Sequence, residues 1–398
     1  MDLLEGIQVL DLADEKASFC SKLLADLGAR VIKIERPGGD PSRKMGPFVE
    51  DSPNPEKSVS FFTNNTNKLG ITLNLEHEDG KEIFFKLLEK TDIVLETFPP
   101  DYLIQKGLGF DVLSCVNLKL IQVSVTGFGE GGPRSQYKSC DLVASAFGGQ
   151  MYVTGSPSTP PLKPFGEQSY YTASLFAAVS ILLALRKRAR AGKGEHIDIS
   201  LQESAVSALD HVMVRYFYEK TIAKRQGGVY WNHSFCILSC KDGHVLLAPF
   251  QQWETLVEWM ESERMAEDLA DKKYRDEEYC IAHIDHILQV LEQWTRTHTA
   301  QELFESGQVM RFPWAPICSL KEVLNNPQLK ARGFFINVEH LELKRSISYP
   351  GTPYKFGHSP AGRWKRSPLI GEDNVRIYQG ELGLSDEEYK KLSSLNVI

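Results

Sequence analysis

Apolar and polar positions alternate with two distinct periods along the first third of the chain. Residues 7–12, IQVLDL, read as a strand, 19–28, FCSKLLADLG, as a helix closed by Gly28, and 30–35, RVIKIE, as a second strand. A Pro37-Gly38-Gly39 turn leads to GITLNL (70–75), then to a helix in which Ile83, Phe84, Leu87 and Leu88 mark one face. Strands IVLE (93–96) and LIQVSV (120–125) follow. Strands separated by helices in this way predict a parallel sheet with helices on its faces, an α/β fold.

The stretch 166–192, GEQSYYTASLFAAVSILLALRKRARAG, combines a polar loop, a long apolar helix and a basic stop ending at Gly192. Leu175, Phe176, Val179, Leu182 and Leu183 form its broad apolar face. The apolar run from Tyr170 to Leu185 is shorter than the roughly 20 residues of a membrane span and predicts a buried helix. From Gly227 to Pro327 the pattern changes to a hairpin around Lys241-Asp242-Gly243, then charged helices between Trp253 and Gly307, which marks a candidate small domain. Short strands return after Gly333, and a last helix starts at Ser385 with Asp386 and Glu387 in its first turn.

A length of 398 residues allows two domains and a sizeable core. The formal net charge of -7 gives no reason to expect nucleic acid or an anionic membrane as a partner. No basic segment precedes the first strand, so export is not expected, and seven cysteines without framework spacing fit reduced thiols in the cytoplasm. Two groups, His233, Cys236, Cys240 and His244, and Cys280, His283 and His286, have zinc-ligand chemistry. The first spans a hairpin, where alternate residues share a face without a metal, and no metal is expected at either. GFGEGG (127–132) matches the dinucleotide fingerprint. Pro133 follows it directly, however, and no acidic residue lies at the ribose-binding distance, so it reads as a tight glycine turn.

LEGIQVLDL, LLADLGARVIKIERPGGDPSR, NKLGITLNL, GFGEGGP, CDLVASAFGGQMYVTG and GKGEHIDISLQESA, in this order, resemble the class III CoA-transferases. The C-terminal half agrees, through APICSLKEVLNNPQLKARGFF, YPGTPYKFGHSP and LGLSDEEYKKL. The resemblance implies a large Rossmann-like domain built from residues 1–215 and 331–398, a small α+β domain at 225–330, and two subunits interlocked as rings. It also implies a CoA thioester as substrate and no permanently bound cofactor. Arg36, Lys68 and Lys138 resemble the family's cations that meet CoA phosphates, and Phe98 the aromatic beside the adenine. Guanidinium and ammonium groups suit that task through charge-assisted hydrogen bonds.

The departures are local. DEKASFCS replaces the family's Ala-Gly-Pro loop after the first strand, and Thr97 and Gln105 stand where Asn and Arg are common. Tyr170 occupies the place of the nucleophilic Asp, and Cys140 that of the racemase His before Asp141. The family's carboxylate forms a mixed anhydride and then carries CoA as a thioester, which neither a phenol nor the Ser169 hydroxyl can do. Glu167 is the neighbouring carboxylate in sequence. Some transferases of this family pair an Asp-bearing subunit with a similar one lacking it, a succinyl-CoA:benzylsuccinate enzyme among them. Three readings follow: a noncatalytic subunit with a catalytic paralogue as partner, an active homodimer using Glu167, or a noncatalytic acyl-CoA binding protein.

Overall fold

The apolar alternation of the first 200 residues resolves into one sheet. The computed structural model describes residues 2–230, 234–357 and 364–398. Its first elements are β1 (Gln8–Asp11), α1 (Ser18–Asp26), β2 (Arg30–Glu35), β3 (Leu69–Thr72), α2 (Glu78–Leu88), β4 (Ile93–Glu96), α3 (Phe110–Val116), β5 (Ile121–Thr126), α4 (Asp141–Phe147), α5 (Gln168–Ala191), β6 (Glu195–Ser200), α6 (Leu201–Ser207) and α7 (Val212–Glu219). The strands lie in the order β3-β2-β1-β4-β5-β6, every pairing parallel. This is a Rossmann-like doubly wound sheet, and its order reverses between β1 and β4.

Period-two alternation fills both faces. Val9, Val31, Ile93, Leu95, Ile121 and Val123 pack with α1 and α5 in one cluster. Leu10, Ile32, Ile71 and Val94 pack with Ile83, Phe84, Leu87 and Leu88 of α2 in the other. The chain's end completes this second face: the Tyr378 hydroxyl donates to the Thr72 carbonyl at 2.6 Å, and Val397 and Ile398 join the cluster. GFGEGG lies in the loop between β5 and α4, with Gly129 and Gly132 at φ 83° and 95°, where a side chain would be strained.

Helix α5 corrects the expected packing. Its buried face is Ser169, Tyr170, Ala173, Ser174, Ala177, Ala178, Ile181 and Ala184, while Leu175, Phe176, Val179, Leu182 and Leu183 are 40–62% exposed. Small side chains let the helix approach the sheet closely, so the strongest apolar stripe is left outward. At 24 residues α5 is also long and apolar enough, by length and composition alone, to cross a membrane. Gly192, at φ 69°, supplies the left-handed C-cap that stops it.

The contacts divide the chain into two units, over their described residues: Met1–Met151 with Lys163–Ile222 and Gly333–Ile398, and Tyr152–Leu162 with Ala223–Arg332. The second holds an antiparallel sheet of β7 (Val229–Tyr230), β8 (Phe235–Cys240), β9 (Gly243–Leu247) and β10 (Ala315–Pro316). Helices pack on it around Trp259, Trp294 and Trp314. Cys236 and Cys240 point into that core while His244 is exposed, and His233 lies outside the described residues. Nearby, His286 bonds Asp268 at 2.6 Å and His283 stacks on Tyr279. The hairpin of β11 (Phe335–His340) and β12 (Arg345–Pro350) belongs to the first unit.

Candidate functional site

In an open parallel sheet a ligand is expected beyond the carboxyl ends of the strands, where the order reverses. A cavity of about 460 Å³ lies there, lined among others by Lys16, Arg36, Glu76, Thr97, Phe98 and Tyr102. Its walls are set by short-range bonding. The Thr97 hydroxyl accepts the Asp14 amide at 2.9 Å and donates to Asp14 Oδ1 at 2.8 Å, which pins the loop after β1 to the end of β4. The Phe98 amide donates to Glu96 Oε2 at 2.7 Å, and the Phe98 ring stacks on Tyr102 with centroids 4.6 Å apart. Tyr102 is held in turn by its hydroxyl, which donates to Glu76 Oε1 at 2.5 Å. Arg36 is exposed and has no ion-pair partner among the described residues. A loose guanidinium beside an aromatic platform suits an anionic nucleotide group.

Arg36 and Phe98 are therefore brought together in one cavity. Lys68 is not, and this corrects its assignment to phosphate. Its ammonium is fully buried and donates to Asn65 Oδ1 at 2.7 Å, Asp11 Oδ2 at 2.9 Å and the Ser18 carbonyl at 3.0 Å. All three protons are engaged, so none is left for a ligand. Burial lowers Lys68 to about 8, against the opposing charge of Asp11. Lys138 is exposed on the loop between β5 and α4 and does not line the cavity. Two residues of the site were not singled out from sequence. Lys16, in the altered loop, brings a cation to the cavity, and Tyr102 stacks on Phe98 across the loop after β4, for which the sequence carries no periodic signal.

The start of α5 is a capped, apolar turn. Asp141 Oδ1 accepts the Ser169 amide at 2.8 Å, and Oδ2 pairs with Lys163 at 2.7 Å, so this carboxylate is committed to structure. Tyr170 is 6% exposed, in the cluster that holds Ala13, Ala17 and Ala144. Burial pushes its phenol far above the ordinary range, and the charges of Glu15 and Asp14 act in the same direction. The Ser169 hydroxyl is buried and finds no acceptor among the described residues. Glu167 stands at the N-cap without bonding a backbone amide; burial and Asp141 raise its carboxyl, opposed by Lys163. Glu15, in the altered loop, is a second carboxylate raised by burial and by Asp14, and its charge acts on Tyr170.

The doubly wound sheet carries at its switch point a cavity in which Lys16 and Arg36, four carboxylates and the Phe98 and Tyr102 rings meet, the place where an α/β sheet of this kind takes its ligand. The chain belongs to CoA-transferase family III, which it matches over residues 4–374. It is 33% identical to the succinyl-CoA:(R)-benzylsuccinate CoA-transferase subunit BbsE of Thauera aromatica, over 93% of this chain and 92% of that protein. It is 30% identical to the succinyl-CoA L-malate CoA-transferase beta subunit of Chloroflexus aurantiacus, over 99% and 98%. Among solved structures, a CAIB/BAIF family protein from Brucella suis matches with a TM-score of 0.86 at 28% identity, covering 96% of this chain and 100% of the other.

Proposed function

We propose that this chain is the noncatalytic subunit of a heteromeric class III CoA-transferase, working with a paralogue that carries the nucleophilic carboxylate. The observation that carries the reading is Tyr170, buried and protonated where the family's reaction needs a carboxylate. In that reaction a carboxylate attacks the thioester carbonyl and expels CoA thiolate, leaving a mixed anhydride. The thiolate then attacks the carboxylate's own carbonyl, the donor acid departs, and the acceptor acid takes the CoA by the same two steps in reverse. A phenol lacks the acyl carbon for the second step.

The intact switch-point cavity supports retained CoA docking, with Arg36 and Lys16 at the phosphates and Phe98 beside the adenine. The outward stripe on α5, with Met213, Val214, Phe217 and Tyr218 of the wholly unburied α7, supports an extensive partner interface, here assigned to an interlocked pair. Two relatives are named as subunits of transferases that move CoA from succinyl-CoA to benzylsuccinate or L-malate, which supports a succinyl-CoA-type donor, released as succinate, and a dicarboxylic acceptor such as benzylsuccinate. Seven free thiols support a cytoplasmic location.

A second reading is an active homodimer in which a displaced carboxylate serves. Glu167 is favoured by its uncommitted side chain, and Glu15 by its electrostatic contact with Tyr170. The experiment is CoA transfer from succinyl-CoA by the chain alone and with its partner, with hydroxylamine trapping of acyl-enzyme. The proposal expects activity only with the partner, unchanged by Glu167→Gln or Glu15→Gln in this chain. Activity of the chain alone, abolished by either change, would overturn it.

A further inference from the structure

The sheet face opposite α5 turns polar over β4–β6. Ile93, Leu95, Ile121, Val123 and Val125 point to the α5 side, so alternation sends Glu96, Gln122 and Ser124 the other way. Register sets Glu96 beside Ser124 and Gln122 beside His196. Glu96, Gln122 and His196 line a cavity of about 290 Å³ together with Glu130, Asp101, Asp111 and the Phe110 ring. It adjoins the switch-point cavity at Pro99 and Tyr102; four carboxylates line each, but only the switch-point cavity has cations, Lys16 and Arg36, to offset them.

The groups that seek a partner there are acceptors. Gln122 is 3% exposed, and its Oε1 meets no donor among the described residues. Glu96, also 3% exposed, holds the Phe98 amide at 2.7 Å. His196 Nε2 lies 2.9 Å from Ser124 Oγ and 3.4 Å from Glu130 Oε2, and Phe110 stacks on its ring at 5.6 Å. Among the described residues no group of three His, Cys, Asp or Glu is arranged to hold a metal ion. A ligand complementary to this lining must donate hydrogen bonds, carry positive charge and tolerate an aromatic wall. CoA, a polyanion, has the wrong sign.

We infer that this cavity is a binding site for a small organic ammonium ion, with Glu96 and Glu130 as counter-charges, Gln122 Oε1 as acceptor and Phe110 as a wall. The site is independent of the acyl-transfer role proposed above.

The test is calorimetric titration of the full-length protein with n-butylammonium chloride. At pH 8 one saturable site per chain is expected. Glu96→Gln should weaken it at least tenfold, and Gln122→Leu, which changes no charge, at least threefold. Desolvation pushes Glu96 up to about 7, Glu130 adding to the rise and Ser124, the Phe98 amide and Lys16 opposing it; His196, Asp101, Asp111 and Tyr102 are the other ionisable groups lining the cavity with Glu96. Binding should therefore weaken severalfold from pH 8 to pH 6 as Glu96 takes up its proton. Should Glu96→Gln fail to fold, Glu130→Gln at the half-exposed rim carries the same expectation. Absence of saturable heat, binding untouched by these changes, or equal affinity for butyrate would overturn the site.

Discussion

Tyr170 shows what a single residue can disclose. The resemblance sets Tyr170 at the place of the family's carboxylate through the helix that follows it, whereas the fate of Lys68 is not legible in the sequence, because its partner Asp11 lies 57 residues away in the chain. A buried ion pair is costly to break, since removing one member strands the other charge. Lys68→Met is therefore expected to lower the unfolding free energy by about 3–5 kcal/mol in denaturant titration, without a direct effect on CoA affinity. Glu96 behaves in the opposite sense. Its folded-state value of about 7 lies above the ordinary 4.5, so the folded protein keeps the proton longer than the unfolded chain. Stability is lost as pH rises from about 4.5 to 7 and the penalty is complete above 7. Glu96→Gln should remove it, raising stability at pH 8 relative to pH 5 by on the order of 2–3 kcal/mol, read as a pH-dependent gain in melting temperature.

At the scale of elements, strand positions follow from the sequence because alternation and buried hydrophobic runs specify them directly: RVIKIE and IVLE match β2 and β4 residue for residue. Helix α5 was equally plain as a helix, yet its orientation was not. Period 3.6 identifies two stripes, one of small residues and one of large apolar ones, and hydrophobicity alone selects the larger. Close packing against the sheet selects the smaller, and the large stripe faces outward. Leu183, 62% exposed, separates folding from assembly. Leu183→Asp should change the stability of the isolated chain by no more than about 0.5 kcal/mol, as expected at an exposed position. It should abolish co-purification with the proposed partner subunit, which size-exclusion chromatography of the co-expressed pair would detect.

For the whole molecule, the sheet order and the family membership converge on CoA-transferase architecture, and the proposed noncatalytic role rests on Tyr170 alone. Cavity chemistry was only partly legible in the sequence. Arg36 and Phe98 follow strands and can be placed from them, but Lys16 and Glu15 depend on how an altered loop is pinned by Thr97. That loop brings new charge to the region between the cavity and Tyr170. Tyr170→Asp is a sharp probe of the proposal: it should let the chain form a hydroxylamine-trappable acyl intermediate from succinyl-CoA, with CoA docking intact and no partner present. The central claim, a division of labour between two similar chains, is tested most directly by the mass of the intact complex isolated from its native host, with its transfer activity measured on the same sample. Two different subunits, this chain and a carboxylate-bearing paralogue, active together and inactive apart, are the predicted result; a fully active assembly of this chain alone would contradict it.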